Sequence, residues 1–343
     1  MKKVMIGMSG GVDSAVSAYL LKRDGYDVTG VTLRLCGENE SDAADAKTVA
    51  ERLGVAHIVD DMSQKFKDGV VEDFIKSYKK GETPNPCIVC NKRIKFGAML
   101  DYALERGMDY IATGHYARIV KNNDGRYLLL KALDESKDQS YVLYTLSQEV
   151  LSRVIFPLGE MTKGEARAIA EREELINARK RDSQDICFVP DGDYAAFIER
   201  YTGESFPKGS FVDLNGNVLG EHQGIIRYTI GQRKGLGIAL GKPAFVCAKN
   251  VEENSVVLGE NSDLFSKTLT AKDVNLISVE RIDSPMRVCA KVRYNQKEQP
   301  ATVEMIGENR IKVEFDEPQR AISKGQSVVL YDGEIVVGGG IIE

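Results

Sequence analysis

Gly7-Met8-Ser9-Gly10-Gly11-Val12-Asp13-Ser14 is the stretch on which the reading of this chain turns. It follows a short apolar run (residues 4–7). It precedes a helical pattern that places Val12, Val16, Tyr19 and Leu20 on one face and ends near Gly25. Two adjacent glycines let backbone N–H groups approach an anion with no Cβ in the way. The helix that follows adds the positive end of its dipole, and Ser9 and Ser14 bring hydroxyl donors. Asp13 is out of place in a simple anion site unless it holds Mg²⁺ bound to phosphates. The Gly-Lys-[Ser/Thr] ending of ordinary P-loops is absent, and so is G-x-G-x-x-G. The alternative is a tight strand-to-helix turn with no ligand.

Outward from this loop, strand and helix alternate. Residues 28–35 read as a strand, 43–53 as a helix stopped by Gly54, 57–59 as a strand and 66–78 as a long helix. A helix over 91–106, stopped by Gly107, and a strand over 110–112 follow. Strands separated by helices of this length predict an α/β domain whose parallel sheet is covered on both faces. The pattern then changes. Residues 116–131 read as a hairpin turning at Asn123-Asp124-Gly125. Thr162-Lys163-Gly164-Glu165 is a capping box opening a helix to about Glu173. After Tyr201 helices become scarce. From Leu269 onward, short β-branched runs (287–294, 301–305, 310–315, 327–331, 334–337) alternate with turn residues and predict a small antiparallel barrel. The expected domains are 1–200 (catalytic α/β), 201–268 (small, mixed) and 269–343 (β-barrel). There are no internal repeats.

The chain has 343 residues, enough for two or three domains at roughly 150 residues each. At 43% hydrophobic and 28% charged residues, collagen, low-complexity disorder and a simple coiled coil are excluded. No apolar stretch approaches the roughly 18 residues that span a bilayer. The apolar run after Met1 is too short for a signal peptide and reaches Asp13 with no cleavage site. A soluble, cytoplasmic protein with no membrane partner is expected. The net charge of −5 argues against a nucleic-acid partner, but it conceals three basic islands. Residues 76–96 hold Lys76, Lys79, Lys80, Lys92, Arg93 and Lys95 against Glu82 alone. Residues 227–242 and 287–297 hold cations and no acid. These islands can be phosphate contacts or scattered solvated surface.

The 6 cysteines are too few for a disulfide scaffold of this length and should be reduced in a non-exported chain. Cys87 and Cys90 form a C-x-x-C within Thr83-Pro84-Asn85-Pro86-Cys87-Ile88-Val89-Cys90-Asn91-Lys92, where two prolines stiffen the approach. At the start of the helix over 91–106, Cys90 would meet the helix dipole together with Lys92, Arg93 and Lys95, all favouring a thiolate. Half of a structural zinc site is the alternative, but no second C-x-x-C follows and His57, His115 and His222 are scattered. Cys187 lies in Asp182-Ser183-Gln184-Asp185-Ile186-Cys187-Phe188, after the cluster Arg179-Lys180-Arg181, and is either functional or a buried cysteine beside Phe188. Cys36, Cys247 and Cys289 sit among apolar neighbours and read as core.

Ser9-Gly10-Gly11-Val12-Asp13-Ser14 resembles the pyrophosphate loop of the ATP pyrophosphatases, which cleave ATP between its α and β phosphates and adenylate a substrate oxygen. That likeness covers about the first 150 residues. Further motifs follow in one order: Asn85-Pro86-x-x-x-Cys90-Asn91, Ala112-Thr113-Gly114-His115-Tyr116 and Lys137-Asp138-Gln139-Ser140-Tyr141. Asp182-Ser183-Gln184-x-Ile186-Cys187-Phe188 and Gly231-Gln232-Arg233-Lys234-Gly235-Leu236-Gly237 complete the series. It closely resembles the bacterial tRNA-specific 2-thiouridylase family over nearly the whole chain.

The resemblance implies ATP binding by Gly7, Met8, Ser9, Gly10, Gly11, Val12, Asp13, Ser14 and Gly114, with the backbone of Leu33 meeting the adenine and Mg²⁺ offsetting phosphate charge. It implies adenylation of O2 of the wobble uridine in tRNA(Lys), tRNA(Glu) and tRNA(Gln). A persulfide on Cys187, loaded by a cysteine desulfurase or sulfur-carrier protein, would then transfer sulfur to C2 with Cys90 resolving the S–S bond. A Cys90–Cys187 disulfide remains and must be reduced. Asn85, Pro86 and Cys87 would hold the flipped base, and His115, Lys137, Asp138, Gln139, Arg293, Tyr294 and Gln326 match positions that touch tRNA. A monomer is implied, and the basic islands become tRNA-phosphate contacts.

One position departs from the pattern. The best-known form of the family has aspartate, an acid or base, where this chain has Cys87. A thiol has a different pKa, and the change makes Cys87, Cys90 and Cys187 three soft donors. The rival mechanism is therefore a [4Fe–4S] cluster on these cysteines, as in related RNA thiolases. Two further functions compete: an ATP pyrophosphatase forming an amide or nitrile on a small molecule, and a non-catalytic RNA-binding module. Both leave the cysteine motifs or the ATP loop unexplained.

Overall fold

The structure, a computed structural model, describes residues 1–35, 40–175 and 186–343. Cys36 and residues 179–185 of the Cys187 motif lie outside the described residues. Four strands open the chain: β1 (Lys3–Gly7), β2 (Asp27–Arg34), β3 (Ala56–Asp61) and β4 (Tyr110–Ala112). A hairpin, β5 (Arg118–Lys121) and β6 (Tyr127–Leu130), follows, turning where Asn123-Asp124-Gly125 predicts. The chain then returns with β7 (Val154–Ile155), a two-residue strand too short to show in the sequence. The parallel sheet has the order β3-β2-β1-β4-β7, with Val4 paired to Val28 on one side and Tyr110 on the other.

The central strand β1 shows why both faces must be covered. Its residues alternate: Val4 and Ile6 pack with Val12, Val16 and Leu20, while Met5 packs with Phe66, Phe74 and Met99 on the opposite face. The helix Val12–Arg23 is buried nearly all round, with Ser17 and Ala18 inside as well as the apolar stripe. It lies between the sheet and the helix Lys163–Arg172, whose Ala166, Ile169 and Ala170 join the same cluster. The capping box forms: Thr162 Oγ1 accepts from Glu165 N at 3.2 Å, and the Glu165 carboxylate accepts from Thr162 N at 2.7 Å.

One helix boundary differs from expectation. The helical run that carries the C-x-x-C begins at Pro86, with Asn85 as N-cap, and continues as Pro86–Cys90, Asn91–Ala98 and Met99–Glu105. Asn85 Oδ1 accepts from Cys87 N at 3.1 Å, and proline at the first helical position is pre-organised for it. Cys90 therefore closes the first turn instead of heading the helix.

A central sheet follows: β8 (Gly209–Val212), β9 (Val218–His222), β10 (Phe245–Asn250) and β11 (Ser255–Gly259), ordered β10-β11-β8-β9. Only the β11–β8 pair is parallel. The C-terminal strands are β12 (Phe265–Leu276), β13 (Met286–Lys291), β14 (Gln299–Gly307), β15 (Arg310–Arg320), β16 (Ser327–Asp332) and β17 (Ile335–Ile342). Antiparallel pairing in the order β12-β15-β14-β13-β16-β17, with β12 also paired to β17, closes a six-stranded barrel. The last strand runs through Gly338, Gly339 and Gly340, where the sequence pattern stops at 337. These glycines sit where β12 and β17 meet: a Cβ on Gly339 would come within 2.8 Å of the Tyr144 ring, and one on Gly340 within 2.8 Å of Lys272 O. Barrel closure needs the absence of side chains here. The hairpin β5–β6 joins the barrel sheet, Leu130 pairing with Ile335 of β17. No helix among the described residues is long and apolar enough to cross a membrane.

Candidate active site

The Gly7–Ser14 stretch leaves the C-terminal end of β1, whose neighbours β2 and β4 lie on opposite sides. This is the switch point at which open α/β sheets bind ligands. Gly11 caps the helix Val12–Arg23 with no side-chain bond, so the first N–H groups of the helix stay open to an anion. Ser14 Oγ accepts from Ser9 N at 3.2 Å and donates to Gly11 O at 3.1 Å, which folds the loop back over the helix start. Gly114, just past β4, lies against the loop: a Cβ there would be 2.9 Å from Asp13 C and 3.0 Å from Ser14 N. Backbone cannot give way, so Gly114→Ala should displace the loop and weaken ATP binding about tenfold, read by titration with a non-hydrolysable analogue. Leu33, half-buried, lies one residue from the C-terminal end of β2, on the same edge of the sheet.

Asp13 behaves differently from expectation. Both its oxygens lie 2.8 Å from Lys163 Nζ, and Oδ1 also accepts from Tyr116 Oη at 2.9 Å. Lys163 is only 7% exposed. Lys163 thus holds the carboxylate in an ion pair, and Tyr116 in a hydrogen bond, beside the phosphate loop. Sequence reading gave Lys163 no place beyond the capping box; its ammonium stands beside the phosphate loop, brought there by a helix 150 residues away.

The helical run that carries Cys87 and Cys90 touches the Thr113–Tyr116 segment through Phe96. His115 follows Gly114, and its ring lies 5.6 Å from Phe96 on the thiol-bearing helix and 5.9 Å from Phe156. It is buried, with Nδ1 2.7 Å from Thr113 Oγ1, and burial, then Lys95, holds it neutral far below the usual histidine pKa. As a buried neutral ring it is not placed to meet an RNA phosphate. Lys95 acts on His115, Cys87 and Cys90 alike.

Cys87 is exposed, and Cys90 is buried. Cys87 is exposed by surface area, yet protein surrounds it closely enough that desolvation raises its thiol pKa. Desolvation raises Cys90 too; Lys95 opposes both shifts without overcoming them. The expected lowering at Cys90 is thus reversed, because the helix starts at Pro86 and Cys90 has lost water without facing the N-terminus. Asn91, 2% exposed, donates from Nδ2 to Val142 O at 3.0 Å and pins the helix.

Cys187 is exposed, whereas its neighbour Phe188 is buried against Phe66, Phe74 and Phe197 at 5.7, 5.3 and 5.3 Å. The buried-cysteine alternative is overturned: phenylalanine is the anchor and the thiol faces outward. Cys247 and Cys289 are only half-buried, short of the core position expected. Among the described residues no three His, Cys, Asp or Glu side chains gather to hold a metal ion. Cys87 acts electrostatically on Cys90 one helical turn away, whereas Cys187 comes from the separate turn anchored by Phe188.

The other motif residues converge where the first domain meets the barrel. Tyr294, 37% exposed, donates to Asp138 O at 3.2 Å and feels the Cys87 thiol electrostatically. Asp138 accepts from Ala132 N and Ser140 Oγ, and Gln139 Oε1 from Tyr116 N, so both side chains brace their own loop. Lys137 is half-buried beside them. Arg293 donates to Ile230 O, Ala321 O and Ser323 Oγ. Gln326 Nε2 donates to Thr83 O at 2.7 Å. Of the basic islands, Lys79, Arg93, Arg227, Lys242 and Arg287 are tied in ion pairs. Lys92, Lys95, Arg233 and Lys234 have no ion-pair partner among the described residues.

A parallel sheet with a serine- and glycine-rich loop at its switch point, backed by Gly114, defines a nucleotide-binding domain of the ATP-pyrophosphatase type. Three family profiles cover the chain: the tRNA methyl transferase HUP domain over residues 2–191, the tRNA methyl transferase PRC-barrel domain over 195–260 and the aminomethyltransferase beta-barrel domain over 266–342. The chain is 52% identical to the tRNA-specific 2-thiouridylase MnmA of Clostridioides difficile (strain 630), over 100% of this chain and 98% of that protein. It is 50% identical to MnmA of Lachnoclostridium phytofermentans, over 100% and 99% of the two chains, and 49% identical to MnmA of Acetivibrio thermocellus, over 100% and 99%. The chain belongs to the tRNA-specific 2-thiouridylase family.

Proposed function

We propose that this protein is a tRNA uridine 2-sulfurtransferase that uses ATP to activate the wobble uridine and then replaces its O2 with sulfur. The observation that carries this reading is the junction at residues 113–116, where Gly114 backs the phosphate loop and His115 packs on the thiol-bearing helix. That junction supports a reading in which activation and sulfur transfer occur on neighbouring groups. Small-molecule amide or nitrile synthesis leaves that helix without a task.

In this reading the loop from Gly7 to Ser14 and Lys163 hold the ATP phosphates, and the Leu33 backbone meets the adenine. The uridine O2 attacks the α-phosphorus and pyrophosphate leaves. Cys187, exposed and so open to a donor protein, carries a persulfide received from a cysteine desulfurase or sulfur carrier. Its terminal sulfur attacks C2 and forms a C2–S–S–Cys187 adduct. Cys90 attacks the Cys187 sulfur and breaks the S–S bond; the sulfur stays on C2 and AMP departs from it. The resulting Cys90–Cys187 disulfide is reduced by an external dithiol. Cys90 is buried with a raised pKa, so it becomes reactive only as the site opens around the bound base. Asn85, Pro86 and Cys87 receive that base, and Tyr294 and Lys137 offer accessible contacts beside it. The acceptors are tRNA(Lys), tRNA(Glu) and tRNA(Gln), the site of action is the cytoplasm, and the working form is a monomer.

The test is conversion of unmodified tRNA to 2-thiouridine with one AMP formed per sulfur inserted; AMP release with no thiolated tRNA would reject the reading. Binding should also weaken roughly 10- to 100-fold between about 50 and 200 mM salt. Glutamine at Lys92, Arg233 or Lys234 should each lower that salt slope by about 1, read by filter binding across salt.

A further inference from the structure

The chain between the helix Glu72–Lys79 and the thiol-bearing helix runs through residues 81–85, and both C-terminal domains grip it. From the central domain, a Cβ on Gly81 would lie 2.9 Å from Val251 Cγ2 and 3.8 Å from Lys249 Cβ and Cε. From the barrel, a Cβ on Gly325 would lie 2.8 Å from Glu82 Cβ. Thr83 has both backbone groups taken by the barrel: its N–H donates to Lys324 O at 2.8 Å, and its carbonyl accepts from Gln326 Nε2 at 2.7 Å. Beyond Thr83 the chain has little slack. Pro84 and Pro86 fix their φ angles, and Asn85 Oδ1 caps Cys87 N.

We propose that Lys249 is a positioning residue for the thiols: from the central domain it holds residues 81–85, and through them sets the place of Cys87 and Cys90. Its Nζ is buried and has no hydrogen-bond partner among the described residues. The charge that acts on it is the Glu82 carboxylate, which favours the ammonium, while burial pushes the amine down to about 8. A buried amine with no hydrogen bond is a poor way to fill space; methionine would fill it at lower cost. The pull on Glu82 gives the lysine its reason. The thiols of the first domain then stand correctly only when the central domain is docked, which couples the surface that meets tRNA to the chemistry.

The inference rests on the thiolation reading for its activity readout, and on thiol accessibility for a readout independent of it. The experiment compares full-length wild type, Lys249→Met and Lys249→Arg. Lys249→Met is expected to melt no lower than wild type. Its Cys90 should be alkylated by iodoacetamide about tenfold faster, because alkylation of a buried thiol reports local opening. Single-turnover thiolation should slow about tenfold, with KM for tRNA within about twofold of wild type. Lys249→Arg, which keeps the charge, should recover part of both. Wild-type alkylation and thiolation in Lys249→Met overturn the proposal. So does a rise in KM for tRNA alone, which makes Lys249 a phosphate contact. If Lys249→Met does not fold, Glu82→Gln removes the facing carboxylate; Cys90 alkylation that stays at the wild-type rate then overturns it. Should wild type thiolate no tRNA, the functional reading fails while the alkylation arm still decides this one.

Discussion

Serine at position 187 should abolish tRNA thiolation, by at least about 10³-fold, while ATP binding stays at the wild-type level. The oxygen of serine cannot carry a persulfide, and Cys187 is exposed on a turn whose neighbour Phe188 is locked among Phe66, Phe74 and Phe197. The anchor fixes the turn and leaves the thiol presented. Cys90→Ser should lose activity to the same degree for a different reason. It should still accept sulfur on Cys187 from a donor, visible by mass spectrometry as one added sulfur, but fail to release it. Cys187→Ser should show no such adduct there. Cys87→Asp should retain thiolation, since in this reading sulfur passes through Cys187 and Cys90. Activity that survives Cys187→Ser, or that disappears together with bound iron in Cys87→Asp, would reverse these assignments.

Lys163→Met should lower kcat/KM for ATP by about 10²- to 10³-fold, the scale of removing one preorganised charge from a reacting phosphate. The same change leaves the Asp13 carboxylate its bond from Tyr116 Oη beside the phosphate loop, where its negative charge opposes ATP. Asp13→Asn should be milder, because Lys163 keeps its charge and loses only its counter-ion. The double variant Asp13→Asn with Lys163→Met should recover part of the binding lost in Lys163→Met. That non-additivity identifies a coupled pair. Equal losses in Asp13→Asn and Lys163→Met, with no recovery in the double variant, would show the pair to be scaffolding. AMP formation and nucleotide titration read all three variants.

What could be read from the sequence was local. The strand–loop–helix unit from β1 to Ser14, the capping box at Thr162 and the hairpin at Asn123-Asp124-Gly125 each depend on residues within a few positions of one another. The misplacement of Cys90 was avoidable: Asn85-Pro86 is itself a helix-start signal, an N-cap followed by proline at the first position. The last strand run, 334–337, stops short of Gly338-Gly339-Gly340 because glycine ordinarily weakens a strand, and its need here is set by Tyr144 and Lys272, distant in sequence. Lys163 beside Asp13 had no local signal at all. The tRNA positions show a further gap: the motif names Asp138, Gln139, Arg293 and Gln326, but only the fold shows their polar groups engaged in holding the chain itself.

The pairing of β6 with β17 has a consequence for how the molecule is made. Leu130 leaves the ribosome about 200 residues ahead of Ile335, its partner. Throughout that interval one edge of the hairpin stands open, a template for pairing with another chain. A truncated chain ending before β17 would keep that edge for good and would leave β12 without the strand that closes the barrel. The hairpin of the first domain is thus completed by a strand of the barrel, so that a chain lacking β17 loses more than barrel structure.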